Sequence, residues 1–252
     1  MDCIRFLEGI GDKTVDLAVV DPPYNLKVDK WDTFESQEDF LKFTFAWMDC
    51  LVPKLKETAG LYVFNTPFNS AYMLQHLVEQ GLMFQNWITW DKRDGMSYTK
   101  KRYANGQETI LFFTKSGKYT FNHDDIRVPY ESVQRIEHAK TRGILKNGKR
   151  WYPNSRGRMC GEIWHMSSER HKVKVNGKVQ RLPHKTVKPL DMIKRIITAS
   201  SNEGDLVIDC FAGSGTTALA CKQLNRNFIG CDSNEQYVLS ARRRIRTGVI
   251  HI

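Results

Sequence analysis

The chain of 252 residues holds no apolar run that approaches the roughly 20 residues needed to cross a bilayer. No membrane-spanning helix is therefore expected. Its first residues lack the basic region, apolar stretch and cleavage site of a secretion signal. The six cysteines, at positions 3, 50, 160, 210, 221 and 231, form no CxxC pair. Scattered thiols of this kind suit a reducing, cytoplasmic compartment and argue against a disulfide framework or a zinc site. Cys160, His165 and His171 match no common metal-ligand spacing, so no metal is expected. The sequence has no internal repeat and no low-complexity tract.

Against these absences stand 41% hydrophobic and 11% aromatic residues, enough for a sizeable core. The formal net charge is +10, which suits a polyanionic partner, although solubility alone would also account for it. Lys and Arg crowd the segment from Lys140 to Arg181, and that clustering favours a nucleic acid.

Near the C-terminus the apolar run Leu206-Val207-Ile208 leads into Asp209-Cys210-Phe211-Ala212-Gly213-Ser214-Gly215-Thr216-Thr217. A helix-like segment, Ala218 to Leu224, and a second apolar run ending at Asp232 follow. Strand, glycine turn, helix, strand and acid make a βαβ unit that brings backbone close to a ligand at a helix N-terminus. Asp232 lies 19 residues after Gly213, the spacing at which an acid accepts ribose hydroxyls. A dinucleotide-binding turn fits the same residues. A triphosphate-binding loop does not, because no Lys precedes Thr216.

A second motif is more specific. The short apolar run Leu17-Ala18-Val19-Val20 reads as a strand buried on both faces, and it stops at Asp21-Pro22-Pro23-Tyr24. The two prolines end the strand and fix the backbone. A turn with Tyr24 as packing would explain them structurally. The chemistry that uses them is alkylation of an exocyclic amine. The N6 nitrogen of adenine is a poor nucleophile because its lone pair is delocalised into the ring. The Asp21 carboxylate can accept one N–H and the Pro22 carbonyl the other, while Tyr24 stacks on the base. That combination orients the amine and stabilises its developing positive charge. A target inside duplex DNA must first be flipped out of the stack.

Together, Asp21-Pro22-Pro23-Tyr24 and Phe211-x-Gly213-x-Gly215 resemble the amino-group DNA methyltransferases that use S-adenosylmethionine. The catalytic motif comes first, a basic region follows and the cofactor motif comes last. That order resembles the permuted β class of adenine-N6 methyltransferases from bacterial restriction–modification systems, the MboII-like group. The resemblance implies an α/β fold: a doubly wound, Rossmann-like methyltransferase sheet with a circularly permuted motif order and an inserted target-recognition region. It implies that Phe211, Gly213 and Gly215 line the cofactor, and that Thr216, Thr217 and Lys188 meet its methionine carboxylate. His184 and Thr186 would lie close by, Asp232 would hold the ribose hydroxyls, and Ser233 would also belong to the cofactor site. Asp2 and Cys3 would cradle the cofactor's adenine, and Asp21 would also face its ammonium group. Cytosine enzymes of this fold usually carry Ser where Asp21 stands. Methylation of cytosine N4 or of RNA is the alternative.

In chain order, residues 1–119 form the catalytic part, 120–182 the target-recognition region and 183–252 the cofactor-binding part of the same domain. Residues 1–8 read as the end of a strand, Phe40 to Lys56 and Ala71 to Gln80 as helices, and Leu61–Phe64, Phe84–Trp90 and Thr109–Thr114 as strands. Helices are also expected over 190–200 and Glu235–Arg246. The interval 120–182 carries little periodicity. Arg142, Lys146, Lys149 and Arg150 are its candidates for contact with double-stranded DNA. A homodimer is compatible with the sequence but not required by it. The two motifs are expected to meet where Leu206–Asp209 lies beside Val19–Asp21.

Overall fold

A computed structural model describes residues 1–93, 100–168, 172–175, 178–181 and 186–247. Eleven strands and seven helices lie among them. The strands are β1 (Val15–Val20), β2 (Leu55–Asn65), β3 (Met83–Asp91), β4 (Gln107–Thr114), β5 (Ile144–Lys146), β6 (Lys149–Trp151), β7 (Ile163–His165), β8 (Lys172–Val175), β9 (Lys178–Arg181), β10 (Leu206–Asp209) and β11 (Asn227–Gly230). The helices are α1 (Cys3–Glu8), α2 (Gln37–Leu51), α3 (Pro67–Glu79), α4 (Val133–Arg142), α5 (Leu190–Ser200), α6 (Thr216–Gln223) and α7 (Glu235–Thr247).

Seven strands form one sheet in the order β11-β10-β1-β2-β4-β3-β7. Only β4 runs against its neighbours; every other pairing in the sheet is parallel. The core lies on both faces, as a parallel sheet requires. One face packs Phe40, Trp47 and Met48 of α2 and Met73 of α3 against Val15, Ala18, Val20 and Val63. The other packs Ile193, Ile196 and Ile197 of α5 and Leu219 of α6 against Leu17, Val19, Tyr62 and Val207. This is the doubly wound arrangement expected. No helix among the described residues is long and apolar enough to cross a membrane.

Local chemistry sets the element ends. Ser36 caps α2 by accepting from the Asp39 N–H at 3.0 Å. Pro53 follows the helix and cannot continue it, so α2 ends at Leu51 rather than running to Lys56, and β2 starts at Leu55. Residues 1–8 are not a strand end. Asp2 Oδ1 accepts from the N–H groups of Ile4 and Arg5 at 3.0 and 3.2 Å and starts α1.

The interval 120–182 is more ordered than its sequence suggests. Asn122 donates to the carbonyls of Thr198 and Ser201 at the end of α5, at 3.1 and 3.0 Å. Tyr119 and Phe121 pack on Phe112. β7 joins the main sheet, pairing Trp164 with Trp90. The outlying part comprises α4 and the β5–β6 hairpin, whose Asn147-Gly148 turn has both residues at positive φ, 49° and 74°.

Candidate active site

β1 and β10 are parallel neighbours, with Leu17 opposite Val207 and Ala18 opposite Ile208. Their carboxyl ends therefore deliver Asp21 and the Asp209–Phe211 turn to one edge of the sheet. β2 lies on the other side of β1 and β11 on the other side of β10, so the connections part at this point. That is where a doubly wound sheet opens a crevice.

A cavity of about 460 Å³ occupies the crevice. Asp2, Cys3, Asp21, Pro22, Tyr24, Thr186, Lys188, Phe211, Asp232 and Ser233 all line it, so the sequence motifs from both ends of the chain converge there. Phe34, Phe43 and Tyr237 add apolar wall. Gly213, Thr216 and Thr217 line a smaller adjoining recess, whose wall also includes Asp21, Thr186, Lys188 and Phe211. His184 lies outside the described residues.

Within the glycine turn the groups divide their work. Asp232 accepts from the Gly213 N–H at 2.9 Å and the Asn234 N–H at 2.8 Å, which fixes its carboxylate at the cavity wall. Asp209 accepts from the Thr217 hydroxyl at 2.7 Å and the Phe211 N–H at 3.0 Å. Burial pushes the Asp209 carboxyl up to about 7, against the pull of those two donors and with the help of Asp21 and Asp232. Thr216 accepts from Arg244 of α7 at 2.9 Å. Both threonine hydroxyls thus brace the turn itself. Gly215 does not belong to the cavity wall. It sits at φ +76°, and a Cβ there would lie 2.7 Å from the Cβ of Ala241, so its lack of a side chain lets α7 close on α6. Burial drives the Cys3 thiol up to about 12 and the Cys210 thiol well above its usual range, so both are protonated wall rather than nucleophile.

The Asp-Pro-Pro-Tyr turn is held from behind. Asn69 donates to the Tyr24 carbonyl at 2.8 Å, and Asn65 to the Pro23 carbonyl at 3.3 Å. The loop beyond it closes around Asp32, which is almost wholly buried. Its carboxylate accepts from the N–H groups of Tyr24, Asn25, Leu26 and Val28, at 2.6, 2.9, 2.9 and 3.3 Å. These bonds, with that from the Lys27 N–H to the Asp32 backbone carbonyl at 3.1 Å, accompany φ values of +59° at Asn25 and Lys27. Asp32 gave no signal in the sequence, where 26–35 reads only as loop.

In front of the turn lies a buried cluster of charge. Lys188 sends its ammonium to Asp21 Oδ2 at 2.8 Å and to Glu108 Oε2 at 3.5 Å. It sits 5.2 Å from the centre of the Tyr24 ring and 5.5 Å from that of Phe64. Lys92 holds Glu108 Oε1 at 2.9 Å. The Tyr24 hydroxyl is 3.0 Å from both Asp21 Oδ1 and Glu108 Oε2. Burial raises the pKa of Asp21 and Glu108 raises it further, outweighing the pull of Lys188. Burial acts upward on Glu108 too, but Lys188 and Lys92 outweigh it and leave the group below the ordinary range. Burial disfavours the Lys188 charge, yet Asp21 and Glu108 more than restore it. Glu108 and Lys92 were not legible as site residues: Glu108 opens an apolar strand, and its partners lie far away in the chain.

Arg142, Lys146, Lys149 and Arg150 lie apart from the cavity, all exposed on the end of α4 and on the β5–β6 hairpin. Arg150 donates to the Arg142 carbonyl and ties hairpin to helix. A groove of about 370 Å³ between them is lined by Tyr130, Arg135, Lys146, Trp151 and Arg158.

Comparison with known proteins agrees with this arrangement. The sequence pattern of a family described as DNA methylase (N6_N4_Mtase) matches residues 15–243. The chain is 60% identical over 241 residues to the type II methyltransferase M1.MboII of Moraxella bovis, covering 96% of this chain and 93% of that protein. It is 34% identical over 248 residues to the type II methyltransferase M.HpaI of Haemophilus parainfluenzae, covering 97% of this chain and 72% of that one. Among solved structures, the M1.HpyAVI–SAM complex superposes with a TM-score of 0.63 at 24% identity, covering 97% of this chain and 96% of that one. The cytosine-N4-specific PvuII DNA methyltransferase superposes with a TM-score of 0.70 at 16% identity, covering 97% and 84%. At those identities the likeness is one of fold.

Proposed function

The chain belongs to the DNA methylase family, and on that premise we propose that it transfers a methyl group to the N6 nitrogen of a flipped-out adenine at a specific site in double-stranded DNA. It is a DNA methyltransferase of the restriction–modification type, and its methyl donor is S-adenosylmethionine. The observation that carries the adenine reading is the placement of Asp21, held by Lys188 and Tyr24, in the same cavity as Asp232 and Phe211.

The residues present fit the cofactor. The cavity has the size of a small-molecule site. Asp232 presents fixed carboxylate oxygens for ribose hydroxyls, and Phe34, Phe43 and Phe211 offer apolar surface to an adenine ring. The carboxylates of Asp21 and Asp232 line the cavity, where a sulfonium and an ammonium would meet them. When bound, S-adenosylmethionine supplies a methyl group on a positively charged sulfur.

The chain's own residues would do the rest. Asp21 accepts one N–H of the target amine, and the Pro22 carbonyl on the rigid turn accepts the other. The two acceptors favour a pyramidal nitrogen whose lone pair points away from them, toward the donor. Tyr24 stacks on the base. Closing the site against water strengthens each contact. The proton lost from the amine after transfer passes to Asp21, whose raised pKa makes it a better acceptor than an exposed carboxylate. Residues 1–119 and 183–252 supply this machinery, and 120–182 would grip and read the DNA through Arg142, Lys146, Lys149 and Arg150.

Digestion of methylated DNA to nucleosides, followed by mass spectrometry, tests the reading. N6-methyladenine is the expected product. N4-methylcytosine in its place would assign the same machinery to the other exocyclic amine.

A further inference from the structure

Glu108 stands at the centre of the site, and the mechanism above gives it no part. The Tyr24 hydroxyl lies 3.0 Å from Asp21 Oδ1 and 3.0 Å from Glu108 Oε2. A phenol has one proton, so it can donate to only one of these oxygens at a time. Lys188 already faces Asp21 Oδ2 at 2.8 Å. With Tyr24 donating to Oδ1, each Asp21 oxygen has a donor before any base arrives. An incoming amine would then share Oδ1 with Tyr24, and an oxygen that serves two donors holds each of them less well. Glu108 offers the displaced hydroxyl another acceptor at the same distance, and Lys92 pins that carboxylate from its far side at 2.9 Å.

We propose that Glu108 is a positioning residue for methyl transfer: it takes over the Tyr24 hydroxyl when the target amine takes Asp21. The exchange makes one hydrogen bond to Asp21 for each one it removes and leaves the Lys188–Asp21 pair intact. Tyr24 turns its hydroxyl without moving its ring, so the ring stays in place to stack on the base. Without Glu108, the amine and the Tyr24 hydroxyl would have to share Asp21 Oδ1, and the amine would be held less firmly. The proposal rests on the amine-orienting role given to Asp21 above.

The test compares Glu108→Ala, Glu108→Gln, Tyr24→Phe and the double variants, with kcat, DNA KM and cofactor affinity measured separately. Glu108→Ala should lower kcat about tenfold or more, the effect of one lost acceptor in a dry site, with cofactor affinity little changed. Glu108→Gln keeps an acceptor for the hydroxyl and should restore most of the rate. In a Tyr24→Phe background there is no hydroxyl to receive, so Glu108→Ala should cost less than it does in the parent, the remainder being the lost partner of Lys92 and Lys188. Glu108→Gln also removes a negative charge that faces Asp21. The acid limb of its kcat/KM profile should therefore move to lower pH. Equal damage from Gln and Ala, losses that add in full to that of Tyr24→Phe, or an unmoved acid limb in Glu108→Gln would each overturn the proposal. If Glu108→Ala does not fold, the rate and pH profile of Glu108→Gln decide alone. Near-normal turnover by Asp21→Ala would instead bring down the underlying reading of Asp21. Glu108 failing while Asp21→Ala is inactive brings down only the proposal.

Discussion

Replacing Asp32 by Asn exchanges one carboxylate oxygen for an amide NH2 and should loosen the whole catalytic loop. Asp32 Oδ1 accepts from the Tyr24 and Asn25 N–H groups, and Oδ2 from those of Leu26 and Val28. An amide keeps one acceptor oxygen and presents N–H groups where the other stood. Whichever way it turns, two backbone donors then face a donor. A hydrogen bond to a charged group contributes about 1.5–3 kcal/mol, so two lost bonds set an upper bound of about 3–6 kcal/mol. The loop is peripheral and can open alone, so the cost will be met by local opening before global unfolding. The expected loss of global stability is therefore only about 1–3 kcal/mol, a fall in Tm of roughly 2–4 °C per kcal/mol in a chain of this size. Catalysis should fall further, by about a hundredfold, because Tyr24 is anchored through its own N–H to Asp32. Differential scanning fluorimetry and single-turnover methylation measure the two effects. Faster amide exchange confined to 24–34 would show the opening directly. An Asp32→Asn protein that melts and methylates like the parent would refute the idea that this carboxylate builds the loop.

Asp21→Ala should reduce methyl transfer about a hundredfold or more while leaving DNA binding largely intact; filter binding beside a turnover assay separates the two. Gly215→Ala places a Cβ 2.7 Å from that of Ala241 at a residue with φ +76°, so it should destabilise the protein by about 1–3 kcal/mol in urea melts. Gly215 is not part of the cavity wall, so cofactor affinity should change less than stability does. Asp209 is raised to about 7, above its unfolded value, so its contribution to stability is fully present below that unfolded value and is lost as pH rises through about 7. Asp209→Asn should remove that decline, which urea melts at pH 5 and pH 8 will show. Changing Lys146, Lys149 and Arg150 together to Ala should weaken DNA binding and flatten its salt dependence by about one unit of log–log slope per lost phosphate contact, with cofactor affinity unchanged.

The parallel core was legible because Leu17–Val20, Leu61–Phe64 and Leu206–Ile208 are short, continuous apolar runs. Leu206–Asp209 and the glycine turn were placed correctly, as was their position beside Val19–Asp21. Elements set by a single polar contact were not. α1 is six residues long, and Cys-Ile-Arg-Phe-Leu suits a strand as well as a helix; the Asp2 cap decides between them. Asp2 was picked out only as a residue cradling the cofactor's adenine, not as a helix cap. The β5–β6 hairpin did leave a signal, since Asn147-Gly148 between basic residues is a strong turn pair. In the site, Asp21 and Tyr24 were legible because both stand in one motif. Glu108 meets Lys188 across 80 positions of chain, and no local pattern records such a pair.

The order of the motifs along the chain therefore matters less than the neighbours they acquire in the sheet. Asp16, near the start of β1, shows how those neighbours are fixed. Its Oδ1 holds Lys56 of β2 at 2.7 Å, and its Oδ2 accepts from the Leu206 N–H of β10, 190 residues away, at 2.9 Å. The bond to Leu206 sets the register of β1 against β10, where Leu17 then pairs with Val207; toward β2 the pairing shifts between Val15 and Leu17, so Lys56 ties the strands together without setting their register. Because side chains alternate across a strand, a slip of β10 by one residue against β1 would turn its core side chains to the wrong face. With register fixed at this end, the opposite ends are fixed too: β1 must stop at Asp21 beside the point where β10 stops at Asp209. A catalytic motif at the start of the chain and a cofactor turn near its end then share one crevice. They would share it equally if the chain ran through them in the reverse order. What cannot be exchanged is the lateral pairing, and this is why the site tolerates a permuted sequence.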